Sequence, residues 1–328
     1  MNNILLNPGP TNTRETTKLA QYNGSDVCHR THDFQNILQE TKSLLVDRFG
    51  NETFNVALLG GSGTVGIEAM ISSLVEDNIV VINAGIYGQR AIDIMKVYGI
   101  NYIEEAVNNV SELQPNEKYT HVYFVENETT TGEHFPLKEM STLYPNAKFF
   151  IDSTSAFGAS DYDGFYNKIL GLSFCSNKCL QSTPGLGIII WNKTLQYKQR
   201  SYYCNLERYM DSNLPFTLPV QSVYALNTTL KLTGNQDELF DNRKTKLIQA
   251  FDKIGINCLN YLPSNSIIGF QHPKMSYTQL QEYMYQRGIV IYSGIEGYEN
   301  SFRVSTMSVV FDTSFDIIIG AFNDSCLC

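Results

Sequence analysis

A chain of 328 residues, 43% hydrophobic and 17% charged, is long enough for one large core plus a smaller domain. Its net charge of −9, without a basic stripe, argues against nucleic acid or an anionic membrane as partner. Small anionic ligands would then need local positive sites, built from backbone N–H groups and single arginines.

The start, MNNILLNPGP, has neither the charged segment nor the apolar run of a signal peptide. No window approaches the roughly 18 apolar residues of a membrane span. The cysteines at 28, 175, 179, 204, 258, 326 and 328 are odd in number and mostly scattered, which fits a reduced, cytoplasmic setting. Cys326 and Cys328 read as two exposed thiols.

In chain order, apolar spacing predicts a helix over 34–49. Short β-branched and aromatic runs then predict strands at NVALL (55–59), NIVVIN (78–83), HVYFV (121–125), KFFID (148–152) and LGIIIW (186–191). Helical stretches at 64–74, 87–98 and 137–143 fall between several of them. This alternation predicts an α/β fold, a mainly parallel sheet with helices on both faces, and ligands beyond the carboxyl ends of its strands. From about residue 220 the pattern changes to helices over 221–233 and 236–254, then strands at SIIGF (266–270), GIVIY (288–292) and SFRVS (301–305), with a helix near 277–287. The expected division is a large domain over 12–225 and a smaller C-terminal α+β domain over 226–328, joined by an N-terminal arm, 1–11.

Three features fall at strand ends. GGSGTVGIEAM (60–70) is a glycine-rich turn opening a helix, where N–H groups and the helix dipole favour an anion such as phosphate. It lacks both the dinucleotide fingerprint and the Gly-Lys-Ser/Thr of a Walker loop, and closing a turn explains it equally well. Asp152 ends KFFID, where burial penalises its charge, although a helix-capping aspartate is an equal reading. Lys178, in SNKCLQSTPGLGIII, sits beside an apolar stretch that disfavours a free ammonium. The 26 residues separating it from Asp152 suit one further βα excursion. A phosphate cradle, a carboxylate and a lysine at neighbouring strand ends together fit pyridoxal 5′-phosphate (PLP): the lysine forms a Schiff base and the carboxylate keeps the ring nitrogen protonated.

VENETTTG (125–132), IDSTSAFG (151–158) and SNKCLQSTPG (176–185) taken together resemble the class V aminotransferases of the fold-type I PLP enzymes, and the likeness runs from LLNPGP (5–10) to SFRV (301–304). ETTTG and NKCLQ favour the family's phosphonate branch over its alanine– or serine–glyoxylate transaminases. The resemblance implies amino transfer from a small donor, on that branch 2-aminoethylphosphonate, to a keto acid such as pyruvate. It makes Lys178 the Schiff-base lysine and proton shuttle, and pairs Asp152 with the pyridine nitrogen. Ser62, Gly63 and Thr64 match the phosphate cradle, and Tyr87 the aromatic stacked on the ring. Thr129 matches a hydroxyl near the ring oxygen and Thr154 the residue on the opposite ring face. Thr217 matches a threonine reaching the phosphate of a neighbouring subunit, which implies a homodimer with shared active sites. Arg303 matches the clamp for the substrate's acid group. Without the resemblance, Tyr87 is a helix-start tyrosine, Thr129 a turn threonine, Thr217 a loop or capping residue and Arg303 a surface ion-pair residue.

The chain departs from the family at SGI (293–295), where relatives carry a Pro-Gly-Lys-like segment, at STMS (305–308) in place of Gly-Asn-Ile-Gly, and at Ser182 in place of a glycine. Losing a lysine near the acid clamp weakens attraction for a dianionic phosphonate. CHRTH (28–32) has no zinc-site spacing and no second ligand pair, so no metal is expected. His29 or Arg30 would lie near the site entrance. Cys175 and Cys179 read as small buried hydrophobes. A PLP lyase or desulfurase is the rival reading, with Cys204 as its one loop cysteine.

Overall fold

The apolar runs assemble into one seven-stranded sheet: β1 (Phe54–Gly60), β2 (Ile79–Asn83), β3 (Tyr102–Ala106), β4 (His121–Val125), β5 (Lys148–Asp152), β6 (Ile169–Cys175) and β7 (Leu186–Asn192), in the order β1-β7-β6-β5-β4-β2-β3. The computed structural model describes residues 3–210 and 214–328. Strand β7 pairs antiparallel with both neighbours, and every other pairing is parallel.

Successive side chains on a strand point to opposite faces, and both faces are covered here. One cluster joins Val56, Leu58, Val122, Phe124 and Phe149 to helices α2 (His32–Phe49), α5 (Leu137–Leu143) and α6 (Val220–Leu232). The other joins Ala57, Leu59, Tyr123, Val125 and Phe150 to α3 (Gly63–Leu74) and α4 (Ile86–Val97). Helix α1 (Glu15–Tyr22) lies against α6. The expected division after residue 225 falls inside α6, whose Val220, Val223, Leu226 and Leu230 bury in the first cluster.

A four-stranded antiparallel sheet follows, β8 (Asn257–Cys258), β9 (Ile267–Gln271), β10 (Tyr292–Ser293) and β11 (Ser301–Ser305), in the order β8-β9-β11-β10. Leu6 of the arm buries with Leu247 and Phe251 of α7 (Asp237–Asp252), with Met284 of α8 (Tyr277–Tyr285), and with Phe270, Phe302 and Phe322. Each such apolar side chain contributes on the order of 1.5–3 kcal/mol on burial.

Several readings change. The path from Asp152 to Lys178 contains turns, a short 3₁₀ segment at Tyr166–Lys168 and β6, with no α-helix. GIVIY is not one strand: Ile289–Val290 pairs parallel with Ile4–Leu5, whereas Tyr292–Ser293 pairs with β11. The buried Ile291 between them lets one apolar run serve two sheets. Cys326 is half-buried on α9 (Phe315–Leu327), its Sγ 3.5 Å from His272 Nε2, so only Cys328 of that pair is exposed.

Candidate active site

Strands β1, β2, β4, β5 and β6 run parallel, so their carboxyl ends open on the same edge of the sheet. Asp152, the last residue of β5, is 1% exposed. Its Oδ1 accepts hydrogen bonds from the Thr154 amide (2.9 Å) and the Thr154 hydroxyl (2.5 Å). Its Oδ2 is buried without a hydrogen-bond partner among the described residues. Burial pushes the carboxyl up to about 6, against the pull of the two Thr154 bonds, and the charge of Glu128 adds to the rise. An unpartnered buried oxygen on a carboxylate costs free energy unless a donor arrives to meet it.

Just past β1, Ser62 caps α3, and Gly63 and Thr64 form its first turn. A side chain at Gly63 would come within 3.0 Å of the Thr154 methyl and 3.5 Å of Cys175 Cβ. The missing Cβ therefore lets the helix N-terminus close onto the residues flanking Asp152 and Lys178. Free N–H groups at such a terminus suit an anion.

Lys178 follows β6, mostly buried, with its Nζ donating to the Pro8 carbonyl of the arm. Burial lowers its pKa, which favours the neutral amine; Cys175, Cys179 and Asp152 oppose that shift only in part. Gln181, wholly buried, holds the lysine loop in place: it accepts from Arg14 Nη1 (2.8 Å) and donates to the Met307 carbonyl (2.7 Å). Cys175 and Cys179 are both buried, and burial pushes their thiols up to about 11 and about 12.

Tyr87 lies in the first turn of α4, with the Arg90 guanidinium 4.6 Å from its ring centre. Arg90 also donates to Thr64 Oγ1 at 3.1 Å, linking the start of α4 to the cradle. Sequence reasoning missed what fixes this turn. Glu128, 0% exposed, accepts the Tyr87 and Gly88 amides on Oε2 (3.0 and 3.3 Å) and the Thr130 amide and hydroxyl on Oε1. A Cβ at Gly85 would sit 2.7 Å from Glu128 Cδ, so only glycine admits this approach. The signal available in sequence was the glutamate of ETTTG combined with the glycine before IYG.

Thr129 is buried beside Glu128, and its carbonyl accepts from Arg303 Nη1. Arg303, on β11, is 5% exposed and makes no ion pair among the described residues. Its Nε donates to the Ser293 carbonyl (2.6 Å) and its Nη2 to Ser293 Oγ (3.0 Å), while the Tyr292 ring lies 4.9 Å from the guanidinium carbon. A cavity of about 770 Å³, lined by Thr130, Ser293, Ile295 and Arg303 among others, opens above it. Thr217 stands apart, exposed on the segment before α6, although Pro219 two residues on packs by Gly60 at the cradle's entrance. The chain thus gathers Ser62–Thr64, Asp152, Thr154 and Lys178 in one place and links Tyr87, Thr129 and Arg303 through Glu128.

The donor set fits a flat, anion-bearing cofactor with one N–H for Asp152 Oδ2 and a carbonyl for Lys178. Residues 11–317 match the family described as Aminotransferase class-V. The chain belongs to that family. This class V aminotransferase is 29% identical, over 95% of its length, to a bifunctional phosphonoacetaldehyde hydrolase/aminoethylphosphonate transaminase of Clostridioides difficile, of which it spans 55%. It is 28% identical to a 2-aminoethylphosphonate–pyruvate transaminase of Phocaeicola vulgatus, with 97% of each chain covered. Among solved structures, an aspartate aminotransferase from Thermus thermophilus covers 98% of both chains with a TM-score of 0.88 at 22% identity. An alanine–glyoxylate aminotransferase from Nostoc covers 100% of this chain and 96% of its own, with a TM-score of 0.83 at 20% identity. These two likenesses speak for the fold of the class V aminotransferase.

Proposed function

We propose that this class V aminotransferase uses pyridoxal 5′-phosphate to move an amino group from 2-aminoethylphosphonate to a keto acid such as pyruvate. The observation that carries the cofactor is the buried, unpartnered Oδ2 of Asp152 beside a lysine whose burial favours a neutral amine. Relatives matched along nearly their whole length and named for the phosphonate reaction support the donor.

When bound, the cofactor ring would supply an electron sink for the substrate carbon. Asp152 would hold the ring nitrogen's proton at Oδ2, and Ser62, Gly63 and Thr64 would offer the α3 terminus to the phosphate. Tyr87 and Thr154 would cover the two ring faces, and Thr129 would meet the ring oxygen through its hydroxyl. Lys178 Nζ would hold the cofactor by its aldehyde at rest and, once displaced by the donor's amine, would as a free amine take the proton leaving the substrate carbon and deliver it as an acid. Arg303 would orient the substrate by its acid group. Thr217 would serve the site of a second copy, making the unit a homodimer.

The desulfurase reading loses ground at Cys204. That residue is 5% exposed, its carbonyl is held by Ser73, and burial pushes its thiol up to about 11. A mobile nucleophilic thiolate needs the opposite setting.

Borohydride reduction of purified holoenzyme followed by peptide mass analysis tests the reading. The expected result is a pyridoxyl label on Lys178, and an unlabelled residue 178 overturns the cofactor assignment. Spectral titration with 2-aminoethylphosphonate, alanine and serine then tests the donor. Bleaching of the visible band by alanine or serine, but not by the phosphonate, would shift the reading to a glyoxylate-type transaminase.

A further inference from the structure

The guanidinium of Arg303 has five N–H hydrogens, and three are committed within the chain: to the Ser293 carbonyl, Ser293 Oγ and the Thr129 carbonyl. One hydrogen on each Nη remains, which suits a single acid group held by two bonds. The other charged side chains lining the same cavity are both acidic, Glu133 and Glu296. Glu133 is buried, its carboxylate taken by the Tyr261 and Leu262 amides and the Asn260 side chain. Glu296 is exposed at the rim. Between it and Ser293, Ile295 lines the cavity with an apolar side chain that packs over Gly269. Arg90 belongs to the adjoining cavity, where it is bonded to Thr64 and shares the lining with Asp93. The titratable groups near the guanidinium are Glu128, Tyr87, Tyr277 and Tyr292, and Lys178 lies near Tyr292. Apart from the lysine committed to the cofactor in the reading above, none of them brings a second positive charge.

We propose that this site accepts the acid group of its substrates as a monoanion, and that Ser293, Ile295 and Glu296 set this preference. The inference rests on the transaminase reading and deepens it. Arg303 balances one negative charge. A second would find no free N–H on Arg303 and would share the cavity with the Glu296 carboxylate. A phosphonate is therefore taken with one proton still on it, and a carboxylate of the same spacing competes with it. Keto acids with a second carboxylate are poor acceptors.

The test compares 2-aminoethylphosphonate with 3-aminopropanoate, which has the same amine-to-acid spacing but no second acid ionisation. The kcat/KM of each is measured with holoenzyme from about pH 6 to about pH 8.5, a range spanning the second ionisation, since phosphate groups lose their second proton near pH 6. Taking the ratio cancels the amine's titration and the enzyme's own. The expected ratio, phosphonate over carboxylate, falls with pH, approaching about tenfold per unit once the dianion predominates. A flat or rising ratio overturns the proposal. Glu296→Lys, at an exposed rim position, is expected to raise the ratio several-fold at the upper pH, with Ile295→Lys as a second route to the same change. An unchanged ratio in both variants removes these residues from the preference. If neither amine reacts with a holoenzyme that other donors convert, the donor reading has failed. The charge rule is then decided by acceptors: a preference of about tenfold or more for pyruvate over oxaloacetate upholds it, and equal kcat/KM values overturn it.

Discussion

Asp152 and Arg303 are both almost wholly buried, yet the structure treats their polar atoms in opposite ways. Asp152 keeps one oxygen without a partner, whereas Arg303 has three of its N–H groups tied to carbonyl and hydroxyl oxygens of its own chain. A resident cofactor always presents the same donor in the same place, so a carboxylate can be left waiting for it. Substrates change twice in each transamination cycle. A group that must greet a different acid each time is better fixed in advance, because every ordered rotamer is a cost paid at binding otherwise.

The largest effect is expected where the waiting atom loses its charge. Asp152→Asn retains an acceptor oxygen but no longer balances a protonated ring nitrogen, and kcat/KM should fall by about 10³ with cofactor saturating. Steady-state kinetics at wild-type rates would break the contrast at its first term. A pH signature accompanies it. In cofactor-free protein the Asp152 carboxyl is raised from 3.8 to about 6, so the folded state holds its proton more tightly than the unfolded state does. This group's share of stability is complete below the unfolded value and is lost as pH rises through about 6, a difference on the order of 3 kcal/mol. Chemical denaturation of the apoprotein should show that decline, and Asp152→Asn should remove it. Cofactor affinity should rise over the same interval, because an ionised Asp152 is the form that accepts the ring proton.

At the braced end the expected effect is smaller and falls on a different constant. Arg303→Lys keeps a positive charge but loses the planar fork and the Ser293 and Thr129 bonds that aim it. Charge-assisted hydrogen bonds contribute about 1.5–3 kcal/mol each, so KM for the keto acid should rise by about 10–100-fold with kcat changed far less. A fall in kcat at constant KM would mean that Arg303 acts on the cofactor half of the site.

The two ends also differed in how far they could be read from the sequence. Strands β4 and β5 are unbroken apolar runs ending in a glutamate-containing turn and in Asp152, so their position and the carboxylate's place at the strand mouth follow from pattern alone. Strand β6 escaped because Gly171 and Ser173 interrupt it. The glycine is there for contact, since a Cβ would come 3.2 Å from Met70 Sδ and Phe150. Strand β3, with Ile103 and Glu104 exposed and Glu105 half-buried, is a sheet edge without the pattern of a buried strand. Arg303 read as a surface residue until the family likeness was considered, because nothing in SFRVS says that Ser293 and Thr129 will enclose it. Glu128 was invisible as a functional group: its role depends on amides some 40 residues away in sequence.

Glu128 joins the two ends, and it gives the smallest but most discriminating prediction. Its Oε2 receives two amides of the α4 first turn, which carries Tyr87, while its neighbour Thr129 lends a carbonyl to Arg303. Glu128→Gln has nearly the same shape, but whichever way the amide turns, an NH₂ group replaces one acceptor and faces N–H donors. Losing one or two such bonds costs about 1–2 kcal/mol. Cofactor affinity, read by titrating apoprotein with pyridoxal 5′-phosphate, should weaken by about tenfold, with a comparable rise in KM for the acid substrate. A residue that only supported the fold would lower the melting temperature and leave both constants in place. Movement of the affinity alone would mean that the carboxylate sets the Tyr87 turn and that Arg303 is positioned independently by Ser293.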